Sequence, residues 1–158
     1  MEIPESMGNN SDLDEIDLSI LRLLRLNSRM RFHEMSRLTG IPDATLQFRL
    51  KRLITNGVID KFTIIANPAL TGYIVTALVL VQTDTDKHDE AKEALSALPE
   101  ISEIYGVLGE YDLFIKVWAK SLEELNSIIN DKIRSVVGIE DLLEIVVVER
   151  VKEETSPV

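Results

Sequence analysis

The spacing of apolar residues changes once along this chain, and that change constrains the fold more than any other feature. From Leu13 to Gly57 the apolar residues recur at helical spacing in three groups separated by short turns. From Tyr73 onward, apolar and β-branched runs alternate with helical segments in the order strand, helix, strand, strand, helix, strand. The sequence therefore predicts an α+β fold in which a three-helix domain is joined to a ferredoxin-like βαββαβ domain.

Between the two parts lies a segment that does not keep the helical period. Residues 61–65 are mostly apolar and β-branched, and Asn67-Pro68 is a turn signal. We predict domains at residues 11–60 and 73–153, with residues 61–72 forming a linker strand and hinge.

The three helices have recognisable boundaries. Asp14 can accept hydrogen bonds from the first turn of the first helix, and Asp17 can complete a capping box. The second helix should run from Phe32 to Thr39, with Met35 and Leu38 facing inward.

A tight turn at Gly40-Ile41-Pro42 precedes the third helix, whose inner stripe is Leu46, Leu50 and Leu53. Its outer face is polar and basic. Two helices joined by such a turn, the second basic on its outside, are typical of a helix-turn-helix.

Charge is sorted along the chain in a way that supports this interpretation. Residues 22–61 hold nine basic and three acidic side chains, whereas the chain as a whole has a formal net charge of −10. A basic patch is the electrostatic footprint of phosphate contact, and an acidic body keeps that contact local. The alternative is a three-helix bundle whose charged face is merely solvated, which would not explain why the bases concentrate here.

Several classes of protein are disfavoured. The chain has no cysteine, and it carries neither a signal-peptide pattern nor an apolar run near the ~20 residues of a membrane span. No phosphate-binding loop or hydrolase motif occurs. We expect a cytoplasmic protein that is not an enzyme and has no cofactor and no membrane partner. A metal could be held by the adjacent side chains of Asp86, His88, Asp89 and Glu90. Polar residues at a helix start more often cap the helix, so we expect no metal site.

The first and last strands of the second domain are apolar on both faces. Val79 and Val81 alternate with Leu78 and Leu80, and the last strand shows the same pattern. Two helices cover only one face of a four-stranded sheet, so the other face should pack on a second copy. A two-fold homodimer is the simplest closure.

The order and spacing of several motifs resemble those of a known family. The matching motifs are Leu13-Asp14, Asp17, Glu34-Met35, Gly40-Ile41, Arg49-Leu50 and Gly57-Val58-Ile59, followed by Ala97-Leu98-Pro99-Glu100 and Gly109-Glu110-Tyr111-Asp112-Leu113. In their order and spacing, residues 13–152 resemble the Lrp/AsnC (feast/famine) transcription regulators. The resemblance implies a dimer, often assembled into octamers, that binds promoter DNA under the control of an amino acid or similar small molecule. Arg31 departs from the family pattern at the start of the second helix, and Pro42 departs from it at the start of the third.

The candidate DNA contacts divide into two groups. For base or groove contact, the N-terminal part of the third helix offers Asp43, Ala44, Thr45, Gln47 and Phe48. For phosphate contact or capping, the candidates are Arg29, Arg31, Arg49, Lys51 and Arg52. Phe48 has two interpretations, contact with a thymine methyl or packing on a neighbouring helix. Arg49 has a second interpretation as a structural salt-bridge partner.

The candidate effector site is the loop between the second and third strands of the second domain. Its residues are Gly106, Gly109, Glu110, Tyr111 and Asp112. Glycines let a backbone approach a small ligand, free N–H groups hold a carboxylate, and an acidic side chain holds an ammonium. From the residues alone an ordinary hairpin turn explains the loop better, whereas the family resemblance favours a site.

Two classes of function follow from these features. The first is a sequence-specific transcriptional regulator that binds double-stranded DNA and responds to an amino acid or similar effector. The second is a small-molecule sensor or assembly module whose basic face meets a protein or RNA.

Overall fold

The helix-period part of the sequence forms three α-helices in the computed structural model, which describes residues 13–153. These are α1 (Glu15–Leu26), α2 (Phe32–Thr39) and α3 (Asp43–Thr55). The described residues fall into two units that part between Ile64 and Ile65.

The start of α1 confirms the predicted capping box. The Asp14 carboxylate accepts hydrogen bonds from the N–H groups of Ile16 and Asp17, both at 3.0 Å. In return, the Asp17 carboxylate accepts from the Asp14 N–H at 3.4 Å. These bonds satisfy donors that would otherwise lack partners at the helix start.

The start of α2 shows how the fold accommodates Arg31, which stands where a hydroxyl side chain would usually cap. The backbone N–H of Arg31 donates to Glu34 Oε2 at 3.0 Å, so the helix is capped from its third residue. Gly40 then ends the helix at a φ of 74°, a conformation that glycine adopts without strain.

The helices bury the expected stripes with one exception. The core of this unit consists of Ile20, Leu24, Met35, Leu46 and Leu53, with Leu50 packed against it. The inward prediction for Leu38 is wrong, because its side chain is 61% exposed. The inner stripe of α2 runs through Phe32, Met35 and Thr39, and Leu38 lies beside it.

The predicted linker strand within residues 61–72 is also wrong for the single chain. Residues 60–67 form neither helix nor strand, and Pro68–Thr71 forms a short 3-10 turn. A strand needs a hydrogen-bonded neighbour, and Ile64 and Ile65 are 86% and 71% exposed with no strand beside them among the described residues.

The second unit has the predicted ferredoxin-like order. Its elements are β1 (Val75–Thr83), α4 (His88–Ser96), β2 (Ile101–Gly106), β3 (Leu113–Ala119), α5 (Leu122–Ser127) and β4 (Ile139–Val146). A π-helical segment, Ile128–Ile133, continues α5. The four strands are antiparallel in the order β2-β3-β1-β4, which confirms the predicted fold class.

The register of the strands separates two faces of the sheet. On one face Val79, Val81 and Ile115 are fully buried, and Ile129 of the π-helical segment belongs to the same core. On the other face Leu80 lies between Phe114 and Leu143, and Leu78 lies between Lys116 and Ile145. We call this second face, which no helix among the described residues covers, the open face.

Across the part of the chain that the structure describes, every helix is too short or too polar to cross a membrane.

Candidate DNA interface and effector loop

The turn between α2 and α3 fixes where the third helix begins. The Thr39 hydroxyl donates to the Met35 carbonyl at 2.8 Å and accepts from the Ile41 N–H at 3.2 Å. Pro42 stands at the N-cap position, and Asp43 is the first helical residue. Pro42 has no side chain that can cap the helix, but its carbonyl accepts from the Leu46 N–H at 3.1 Å, which is the first hydrogen bond of the helix.

The outer face of α3 presents most of the predicted base contacts. Ala44, Gln47 and Phe48 are exposed, whereas Asp43 and Thr45 are half-buried. Phe48 is 67% exposed, so it does not pack on a neighbouring helix of this unit. A large exposed aromatic ring on an otherwise polar face is suited to contact with a partner.

Arg49 and Arg52 point back toward α1 and not away from the protein. Arg49 Nη1 lies 2.6 Å from Asp14 Oδ2 and 3.2 Å from Asp17 Oδ2. Arg52 Nη2 lies 2.5 Å from the same Asp17 oxygen. Asp17 is fully buried, so these two guanidinium groups balance a carboxylate that has no access to water.

The position of Arg49 agrees with its second interpretation as a structural partner. Arg52, predicted as a phosphate contact, is engaged in the same cluster, although its side chain remains 40% exposed. The Asp17 N–H and the Arg49 guanidinium hold the pKa of Asp14 below its usual value, and the Asp14 carboxylate raises the pKa of Arg49. The sequence pattern missed this cluster because it joins residues more than thirty positions apart.

Three of the predicted phosphate contacts keep exposed side chains. They are Arg29 and Arg31, which lie just before α2, and Lys51, which lies on the outer face of α3. Because these cations lie on the exposed surface of the helix-turn-helix unit, they are placed to meet a polyanion.

The predicted effector residues lie in one loop between β2 and β3. Gly106 ends β2, and the Val107 N–H donates to the Asp112 carbonyl at 2.9 Å, which closes the loop. Gly109 and Glu110 are exposed, whereas Tyr111 and Asp112 are half-buried.

The Asp112 carboxylate is held by a residue that the sequence did not single out. Asp112 Oδ2 accepts from the Thr83 backbone N–H at 2.8 Å and from the Thr83 hydroxyl at 3.0 Å. The same hydroxyl lies 2.8 Å from His88 Nδ1. A signal for Thr83 was present in the sequence, because it is the one polar residue on the buried face of β1.

No group of three or more metal-ligating side chains converges anywhere within residues 13–153. His88 instead takes part in the hydrogen-bonded chain with Thr83.

The geometry defines a class of protein: a helix-turn-helix DNA-binding unit joined to a ferredoxin-like unit with a structured loop. Two family profiles agree with that class, a winged helix-turn-helix DNA-binding domain at residues 13–60 and an Lrp/AsnC ligand binding domain at residues 76–157. The chain belongs to the Lrp/AsnC family of transcriptional regulators. This confirms the predicted family. It also confirms the prediction that the chain is a transcriptional regulator and not an enzyme.

Similar proteins span nearly the whole chain. The HTH-type transcriptional regulator FL11 of Pyrococcus furiosus is 36% identical over 144 residues, which cover 91% of this chain and 95% of that one. The structure of E. coli AsnC superposes with a TM-score of 0.85 at 26% identity, covering 90% of this chain and 97% of that one. A Neisseria meningitidis transcriptional regulator, solved in complex with L-methionine, shares the fold with a TM-score of 0.87 at 22% identity, covering 91% and 95%.

Proposed function

We propose that residues 11–60 bind promoter DNA through the outer face of α3, and that residues 73–153 bind an amino acid effector that changes this binding. The observation that supports DNA binding is that the two sides of α3 have different contacts. Arg49 and Arg52 anchor its inner side to α1, which leaves Gln47, Phe48 and Lys51 free to face the groove.

The proposed contacts to DNA follow from exposure and chemistry. Gln47 carries an amide that can pair bidentately with adenine, and Phe48 carries an apolar ring that can contact a thymine methyl. Ala44 and the half-buried Asp43 and Thr45 line the N-terminal end of the helix that enters the groove. Arg29, Arg31 and Lys51 contact phosphates and set the register.

The proposed effector site is the loop at residues 106–112. Asp112 Oδ2 is fixed by Thr83, so the carboxylate is oriented before a ligand arrives. Its other oxygen accepts the ammonium of the amino acid, and loop N–H groups hold the carboxylate. The L-methionine complex of the Neisseria relative supports this class of effector.

The open face of the sheet is the proposed dimer interface. Leu143 and Ile145 are 46% and 44% exposed there, and Tyr105 is 52% exposed. A second copy of the chain packed on this face would bury these side chains and present two helix-turn-helix units to a two-fold symmetric DNA site. Higher assembly into octamers, and a cytoplasmic location beside the DNA, extend the same proposal.

A binding titration tests the DNA proposal against a protein or RNA partner. The full chain is titrated with a duplex that it has selected from a random-sequence library, a scrambled duplex and an RNA hairpin of equal charge, each at several salt concentrations. We expect the selected duplex to bind at least about 10³-fold more tightly than the scrambled one at the same salt. Equal affinity for all three polyanions would refute sequence-specific DNA binding.

A further inference from the structure

One histidine of the second unit lies at the end of a hydrogen-bonded chain that reaches the effector loop. The Thr83 hydroxyl lies 2.8 Å from His88 Nδ1 and 3.0 Å from Asp112 Oδ2. Thr83 is 7% exposed, and His88 and Asp112 are half-buried. A hydroxyl so shielded from water makes its hydrogen bonds to protein atoms, so its two neighbours determine where its proton points.

The single proton of the Thr83 hydroxyl gives this chain a direction. A carboxylate only accepts hydrogen bonds, so the hydroxyl donates its proton to Asp112. The hydroxyl can then only accept from His88, which requires a proton on Nδ1. If the neutral ring carried its proton on Nε2 instead, Nδ1 would compete with Asp112 for the hydroxyl proton. The Nδ1–H form of His88 therefore keeps the hydroxyl turned toward the carboxylate.

The backbone holds the histidine end of the chain in place. His88 is the first residue of α4 and follows a 3-10 turn at Thr85–Lys87. Asp84 caps this turn, because its carboxylate accepts from the Asp86 N–H at 2.8 Å. The Asp84 N–H donates in turn to the Gly138 carbonyl at 2.8 Å. These bonds fix the start of α4, and with it His88, beside the end of β1.

The loop end of the chain is tied to β1 by main-chain bonds as well. The Asp112 N–H donates to the Val81 carbonyl at 3.0 Å, and the Val107 N–H donates to the Asp112 carbonyl at 2.9 Å. The pairing of β1 with β4 shifts register between Gln82 and Thr83. At this shift the Thr83 N–H donates to the Asp112 carboxylate at 2.8 Å. The closure of the loop and the orientation of its carboxylate therefore both depend on Asp112.

We propose that His88 is a positioning residue for the effector loop. Its Nδ1–H directs the Thr83 hydroxyl to Asp112, and this contact holds the carboxylate and the loop in the observed orientation. His88 meets no ligand in this role and acts only through Thr83. The consequence for ligand binding rests on the proposed effector site, whereas the effect on the loop does not.

The position of the ring proton can be tested without changing His88. Nitrogen-15 NMR of the full-length protein, labelled at histidine, distinguishes the two tautomers by the chemical shifts of the ring nitrogens. The chain has two histidines, so a spectrum of His33→Gln identifies the signals of His88. At about pH 8.5, where an imidazole is neutral, we expect the proton of His88 on Nδ1. A proton on Nε2 would overturn the proposal.

Substitution of His88 tests its effect on the loop. Hydrogen–deuterium exchange is measured at the amides of Val107 and Asp112, which close the loop. His88→Leu should speed their exchange about threefold to tenfold, as expected for the loss of one hydrogen bond. His88→Asn, whose amide N–H can take the place of Nδ1–H, should restore the wild-type rate. Unchanged exchange in His88→Leu, or no rescue by His88→Asn, would overturn the proposal.

Two further variants separate the hydrogen bond from packing. His33→Leu makes the same change at an exposed histidine of the other unit, and the loop should exchange as in wild type. Thr83→Val keeps the branched shape and the backbone N–H but has no hydroxyl. In that background, adding His88→Leu should change the exchange rate by less than about twofold. An equal effect of His88→Leu in both backgrounds would show that His88 acts by packing alone, which would overturn the proposal.

Calorimetry connects the loop to its ligand. The common L-amino acids are titrated into wild type, His88→Leu and His88→Asn. An amino acid that binds wild type should bind His88→Leu at least about threefold more weakly and His88→Asn equally well. Equal affinity for wild type and His88→Leu would overturn the role of His88 in the effector site. A wild type that binds no amino acid would refute the effector site itself, and the NMR and exchange results would still decide the role of His88 in the loop.

Discussion

Asp17 Oδ2 lies 3.2 Å from Arg49 Nη1, and this pair joins the first helix to the inner side of the recognition helix. Asp17 is fully buried, whereas the Arg49 side chain is 20% exposed. The carboxylate also serves the capping box of α1 and accepts from Arg52. One buried side chain therefore sets both the start of α1 and the orientation of α3.

Asp17→Asn should destabilise the helix-turn-helix unit. Breaking a buried ion pair costs about 3–5 kcal/mol, and because Arg49 and Arg52 reach solvent we expect about 1–3 kcal/mol in the free energy of unfolding. Urea denaturation followed by circular dichroism measures the change. Glu15→Gln, an exposed carboxylate in the same helix, is the matched control and should be neutral. A neutral Asp17→Asn would mean that the ion pair does not hold α3.

Acidification should weaken the ion pair between Asp14 and Arg49. The folded-state pKa of Asp14 lies below its ordinary value of 3.8, chiefly because of the Asp17 N–H and then Arg49. A group with a lowered pKa stabilises the fold above its ordinary value, and that contribution is lost as the pH falls through the folded-state value. Below pH ~5 the free energy of unfolding should fall more steeply for wild type than for Asp14→Asn, which remains a good helix cap. Parallel pH profiles would show that Asp14 contributes no such dependence.

Phe48 and Lys51 should affect DNA binding in different ways. Phe48→Ala removes an apolar contact to one base, so preference at that position should relax by about 1 kcal/mol or more. Lys51→Ala removes a phosphate contact, so all duplexes should bind more weakly and the salt slope should fall by about one unit. Affinity measurements on a set of singly substituted duplexes at several salt concentrations separate the two effects. If both variants lose preference at the same position, the assignment of Lys51 to phosphate is wrong.

Leu80 and Val79 are neighbours on β1 that face opposite sides of the sheet. Leu80→Asp places a charge on the open face and should yield a folded monomer. Val79→Asp places the same charge in the helix-covered core, where Val79 is fully buried, and should prevent folding. Light scattering and circular dichroism report the two outcomes. A Leu80→Asp variant with the mass of wild type would exclude the open face as the dimer interface.

The elements themselves could be predicted because local patterns determine them. Asp14 with Asp17 marks the start of α1, Gly40 marks the end of α2, and the alternation from Val75 to Thr83 marks a strand with one buried face. The prediction of a linker strand was wrong because a β-branched run forms a strand only if a partner strand is available. The single chain supplies no partner beside Ile64 among its described residues.

The site residues were less predictable because their contacts are distant in sequence. The outer face of α3 could be inferred from helical spacing, but the engagement of Arg52 by Asp17 could not, since 35 positions separate them. The support of Asp112 by Thr83 is a contact of the same kind, at a separation of 29 positions. The inward prediction for Leu38 was wrong for a local reason, because this eight-residue helix buries a narrow stripe around Met35 and Leu38 lies outside it.

The most direct test of the central claim is the affinity for promoter DNA with and without a bound amino acid, in wild type and in Asp112→Asn. A calorimetric screen first selects an amino acid that binds the wild-type protein. An effector shifts the DNA affinity only by the ratio of its own affinities for the DNA-bound and the free protein, typically about 5–150-fold. We predict a shift of that size in wild type, no shift in Asp112→Asn, and equal DNA affinity of the two proteins without ligand. A shift that survives in Asp112→Asn, or wild-type DNA affinity that no amino acid changes, would contradict the account.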